Sequence, residues 1–140
     1  MNADSISLEP TEPNPRFPAQ ALKPNSRFLH HATLHTASGA HPLFLHIASR
    51  FTTRLHGLML APPLTLNEAL LLTRCSSIHS AFMRQAIDVV YLDRSDRVVR
   101  CVQNLKPWRA SMGWGASHVL ELAAGSIVRC GIAVGDRLQR

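Results

Sequence analysis

The stretch CSSIHSAFM sets Cys75, His79 and Met83 four residues apart. On a helix that spacing gathers all three on one face, with neighbours about 6 Å apart. A thiolate, an imidazole and a thioether so placed would suit copper(I). On a strand, positions four apart lie about 13 Å from one another, too far for one ion. The chemistry therefore depends on the element that carries the residues. Locally a helix over 65–86 is allowed: Thr65 and Glu68 match a capping box, and Leu71, Cys75, Ile78, Phe82 and Val89 nearly form a helical stripe.

Two carboxylates stand out because their neighbours are apolar. Asp88, between Ile87 and Val89 at the start of a strand-like run, is either a ligand anchor or an acceptor for backbone N–H groups of the bend at Arg84–Ala86. Structural support is the preferred reading. Glu121, inside VLELA, either points inward and needs a partner such as an arginine, or lies on the wetter face of a half-buried strand; the second is preferred. The loop KPWRASMGWG holds Trp108 and Trp114. It could wall a ligand site, but a loop pinned to the core by its tryptophans is the expectation. His79 could serve as a general base, yet the chain has no G-x-S-x-G, no Gly-rich phosphate loop and no HExxH. No catalytic residue, cofactor or metal site is therefore expected. The candidate ligand-binding set is His79, Met83, Asp88, Trp108 and Glu121.

The elements that must position these residues read mostly as short strands. FLHHATLH and PLFLHIA flank a turn at Ser38-Gly39, and TTRLHGLM suits a one-turn helix ending at Gly57. IDVVYLD and RVVRCVQNL, rich in β-branched residues and joined by Arg94-Ser95-Asp96, predict a β-hairpin. SHVLELA predicts a strand, AGSIVRCG a short helix closed by Gly131, and VGDRLQ a last strand. Such a run of strands suggests one sandwich or barrel.

Length and composition bound the rest. The 140 residues allow one domain with a sizeable core. Residues 1–27 hold five of the nine prolines and few apolar side chains, so a disordered arm is expected before a folded domain over 28–140. The net charge of +6 raises the question of nucleic acid, but the arginines are scattered singly and aromatics make up only 6%. Nucleic-acid binding is the least favoured reading. No secretory signal and no apolar run of membrane-spanning length is visible, and three cysteines without a CxxC pair fit free thiols; a cytoplasmic location is expected.

The order of GLM (57–59), IHSAFM (78–83), IDVVYLD (87–93), RVVRCV (97–102), VLELAAG (119–125) and GIAVGDRL (131–138) resembles the domain-of-unknown-function 192 family over about residues 29–139. The resemblance implies a compact, jelly-roll-like β-sandwich with short helices after RFTTR and LELAAG. It also implies that EALLLT and IHSAFM are separate strands around a bend near Cys75, which would take the Cys75–His79–Met83 triad apart. The family carries no established activity. The expectation is a non-catalytic module that binds a protein or small-molecule partner. The alternative is a metabolite or carbohydrate pocket, or a small enzyme, built on His79, Asp88, Trp108 and Glu121.

Overall fold

The computed structural model describes residues 30–48, 63–81 and 83–140. The proline-rich arm and the helix expected at TTRLHGLM lie outside the described residues.

The described chain is mostly β. In order it forms β1 (His30–Thr36), β2 (Gly39–Ala48), β3 (Glu68–Thr73), β4 (Ser77–His79), β5 (Ile87–Leu92), β6 (Val98–Leu105), β7 (Ala110–Met112), β8 (His118–Ala123), a short helix α1 (Ser126–Cys130) and β9 (Arg137–Gln139). Seven strands make one sheet in the order β6-β5-β8-β3-β2-β1-β9, and β4 and β7 pair separately. All pairs are antiparallel except β2 with β3. Strand twist curls the large sheet until its edges meet. Val98 N–H donates to Asp136 O at 2.7 Å, Gly135 N–H donates to Val98 O at 2.8 Å, and Arg97 bridges Arg137. Neither β6 nor β9 is thereby left as an open edge along its whole length.

The strand alternation splits the core in two. The inner face of the curl collects Leu34, Leu45, Leu71, Val90, Leu92, Leu120, Leu122 and Leu138, plugged by Ile127 and Cys130 of α1. The outer face of β3, β5 and β8 carries Leu70, Leu72, Val89, Tyr91 and Val119, and these pack with Ile78 of the small sheet. Because β5 and β8 are covered on both faces, their sequences read as nearly continuous apolar runs.

The sequence readings of the elements hold for the β1–β2 and β5–β6 hairpins, β8, α1 with Gly131 in the left-handed conformation, and β9. The local helix reading of 65–86 does not: β3 and β4 are separate strands around a bend at Arg74–Ser76. The Thr65–Glu68 reciprocal contact does form, with Thr65 N–H on Glu68 Oε2 at 3.0 Å and Glu68 N–H on Thr65 O at 3.1 Å, but it closes a turn into a strand. Leu70 and Leu72 gain more by packing in the sheet than an isolated helix of this length could supply. Cys75, Cys101 and Cys130 are free thiols.

Candidate functional site

The two-stranded sheet lies over the outer face of the large one, and its own alternation gives it two different sides. Ile78 and Ser111, paired across β4 and β7, face down toward β5 and β8; Ser77, His79, Ala110 and Met112 face away and are exposed. Ser80 fixes the small sheet to the loop that follows β6. It is fully buried, its Oγ donates to Lys106 O at 2.6 Å and accepts from Arg109 N–H at 2.8 Å, and its carbonyl accepts from Trp108 N–H at 3.0 Å. Ser80 thus holds the loop through hydrogen bonds with the backbone of Lys106, Trp108 and Arg109. Trp108, at a left-handed φ of 60°, is 60% exposed and Trp114 is 88% exposed.

On the downward side Gly113 makes the close approach. A Cβ there would fall on Cγ and Cδ1 of the Tyr91 ring and 2.9 Å from its Cβ. The Arg100 guanidinium stands 6.0 Å from the centre of the same ring and donates to Met112 O. Tyr91 itself is fully buried, with a hydroxyl that has no hydrogen-bond partner. Burial raises its pKa; Ser111 and Arg100 pull it back down, and Cys75 and Glu121 push it up again. Ser111 Oγ is close enough to act on the phenol, but no hydrogen bond of normal geometry closes between them. One strand over, Glu121 pairs with Val89 on one side and Leu70 on the other. It is buried, its Oε2 has no partner, and burial pushes its carboxyl up to about 8. Tyr91 and Glu121 thus share the outer face of the large sheet with Ser111 of β7 near the phenol, and the Tyr91 hydroxyl, Ser111 Oγ and Glu121 Oε2 are each without a partner.

Asp88 belongs to the opposite face. It pairs with Leu122, one step out of phase with Glu121, and so points inside the curl. Its Oδ1 accepts from Asn104 N–H at 2.9 Å and its Oδ2 from Ile127 N–H at 2.8 Å. The first donor sits at a bulge where β5 and β6 slip register and Asn104 adopts a φ of 54°. The second is in the first turn of α1, whose cap residue Gly125 supplies no side chain. Asp88 thus satisfies two N–H groups that the local backbone leaves over. The supporting role matches the expectation; the donors do not. They are distant in sequence rather than at Arg84–Ala86, because a side chain on a strand reaches across the sheet and not along the chain.

The structure therefore exposes His79 and Trp108 and buries Glu121 on the outer face of the large sheet, while Asp88 lies on its inner face. Met83 is half-buried and, with Cys75, packs against the outer-face core. His79 turns away from both, so strand geometry separates the soft triad. Glu121 is not on a wet face, as the sequence suggested: it is 4% exposed in the folded chain, and among the described residues no arginine is paired with its carboxyl. Tyr91, Ser111 and Ser80 were missed. Tyr91 is the single tyrosine, set in an otherwise apolar run, which was the one signal available. Among the described residues no three His, Cys, Asp or Glu side chains gather to hold a metal ion. Among them too, no helix is long and apolar enough to cross a membrane, which says nothing of a β-barrel.

A mostly β, curled sheet with a small covering sheet is the class of domain defined so far. The profile of DUF192, described as uncharacterized ACR, matches residues 33–140, and the chain belongs to that family. A UPF0127 protein of Thermococcus sibiricus is 38% identical over 99 residues, taking in 66% of this chain and 62% of that protein. This chain thus spans less than two thirds of that relative. A UPF0127 protein of Pyrococcus furiosus is 38% identical over 96 residues, 66% of this chain and 82% of its own length. Two crystal structures share the fold. A protein of unknown function from Novosphingobium aromaticivorans superposes with a TM-score of 0.73 at 22% identity, covering 79% of this chain and 84% of its own. A Sinorhizobium meliloti protein provisionally described as a transcription regulator gives 0.71 at 26% identity, covering 78% and 91%.

Proposed function

We propose that this chain is a non-catalytic binding domain that docks an acidic polypeptide on the outward side of the β4–β7 sheet. One observation carries the reading: Trp108, Met112 and Trp114 are 60%, 49% and 88% exposed within seven residues of chain. Large apolar side chains grouped in this way on a surface mark an interaction site more often than chance exposure does. Their surroundings select the partner. Residues 74–86 and 106–117, which build the small sheet and its flanks, contain Arg74, Arg84, Lys106 and Arg109, all exposed, and no Asp or Glu. Tryptophan, methionine and arginine together are the side chains enriched in protein interfaces. Exposed tryptophans among cations would also suit single-stranded nucleic acid, and one structural relative is described as a transcription regulator. The methionine between the two tryptophans in the chain favours the polypeptide.

Calorimetric titration with the random copolymer of glutamate and tyrosine tests the proposal, with polylysine and oligo(dT) as comparisons. Saturable binding of the acidic copolymer is expected, falling at least tenfold in the double variant Trp108→Ala, Trp114→Ala. Binding of oligo(dT) alone would replace the polypeptide by nucleic acid. Binding that survives the double variant would move the site off this face.

A further inference from the structure

The downward side of the same small sheet holds a separate feature. Glu121, 4% exposed, Tyr91, fully buried, and Ser111 each present an oxygen that meets no hydrogen-bond partner. A native domain rarely leaves one such group, because each forfeits its hydration without replacement. A fourth, Ser126 Oγ, belongs to α1; Tyr91, Ser111 and Glu121 lie together, since Ser111 and Glu121 both act on the Tyr91 phenol. We propose that Glu121, Tyr91 and Ser111 form a buried site for a small organic molecule presenting a carboxylate or another oxyanion.

Chemistry decides for an anion. Each of the three groups carries an O–H that it can donate. The Glu121 carboxyl, raised to about 8 by burial, keeps its proton at neutral pH, and the Tyr91 hydroxyl, also raised by burial, keeps its own. A neutral carboxylic acid beside a phenol, both in apolar surroundings, is a known means of binding an oxyanion. Ser111 comes from β7, so the small sheet contributes a donor as well as a cover. Among the described residues, the charged and titratable groups that act on Tyr91 besides Glu121 are Arg100 and Cys75, and Arg100 favours a negative occupant. The exposed cations of the surrounding segments, Arg74, Arg84, Lys106 and Arg109, favour the approach of an anion. A cation would instead have to pass them to reach Glu121.

Lifting of β4 and β7 would open the site from the Ser111 side. Their pairing spans three residue pairs, and a two-stranded sheet of that length has little stability of its own. Gly113, seated against the Tyr91 ring, is where the cover closes.

The test is thermal-shift titration with sodium acetate and sodium benzoate at constant ionic strength, with benzylamine as the cationic comparison. Either acid is expected to raise the melting temperature saturably at pH 6.5, and benzylamine is not. Tyr91→Phe, which keeps the ring and removes the hydroxyl, should weaken the acid at least tenfold. Glu121→Gln, whose amide still donates, should retain binding and hold it constant from pH 6 to 9. The parent should lose affinity over that range as Glu121 ionises. Trp114→Ala should leave acid binding unchanged, which separates this site from the outward face. No saturable shift with either acid would overturn the proposal and leave a layer that takes water. A shift with benzylamine alone, or one indifferent to Tyr91→Phe, would overturn it equally.

Discussion

Substituting Glu121 by glutamine should make the protein more stable, and the gain should grow with pH. The carboxyl ordinarily titrates at 4.5, and burial raises it to about 8 in the folded chain. Its folded value lies above its unfolded one. The proton is therefore held more tightly when folded, and the stability linked to it is fully present below 4.5. It is lost as pH rises, until both states are ionised above about 8. Each pH unit within that window changes the folding constant up to tenfold, so the full loss is roughly 5 kcal/mol and the loss by pH 7 roughly 3 kcal/mol. These are upper figures, because water drawn into the layer would soften the desolvation. Glutamine has the shape of the protonated acid and no charge to lose. Urea melts of both proteins at pH 5 and pH 8 read the difference directly. His118, whose pKa burial lowers, titrates in both proteins and cancels in the comparison. The variant should be close to the parent at pH 5 and several kcal/mol more stable at pH 8. Parallel pH profiles would refute the assignment of a neutral, unpartnered Glu121.

Further outcomes follow from other contacts. Asp88→Asn replaces one of two acceptor oxygens by a donor facing a backbone N–H, of Asn104 or of Ile127. It should cost about 1–3 kcal/mol in urea melts at neutral pH, and a variant as stable as the parent would exclude the supporting role. Gly113→Ala drives a methyl into the buried Tyr91 ring. A loss of about 1–3 kcal/mol is expected, and an unchanged midpoint would show that β7 does not close on Tyr91. A chain starting at Phe28 should melt within about 5 °C of the full chain, since residues 1–27 have too few apolar side chains to build a core; a larger drop would show that the arm packs on the domain.

Which parts of this were legible in the sequence follows from how far each interaction reaches along the chain. The β5–β6 hairpin was legible because its alternation and its turn are adjacent, and Asp93 closes that turn by accepting from Ser95 and Arg97. The need to satisfy Asp88 was legible too, since an acid amid Ile87 and Val89 demands partners. The partners were not, because Asn104 and Ile127 stand 16 and 39 residues away and only the sheet order brings them near. Glu121 was misjudged for the same reason. Whether a strand face is wet depends on what packs over it, and the outer-face core here takes in Ile78, Cys75 and Met83 on and around a three-residue strand, β4, too short to announce itself. The resemblance to DUF192 supplied the bend near Cys75 that local helix signals would have hidden.

The central claim, that the small sheet is the binding element, has a direct optical test. Trp108 and Trp114 are the two tryptophans of the chain, and both are exposed, on either side of β7. Intrinsic emission therefore reports on this surface and on no other. The free protein should emit at the long wavelengths of water-exposed indole. Adding the glutamate–tyrosine copolymer should shift the emission to shorter wavelength along a saturable curve that matches the calorimetric one, as the indoles leave water. Calorimetric binding with the tryptophan emission unmoved would place the partner elsewhere and contradict the account.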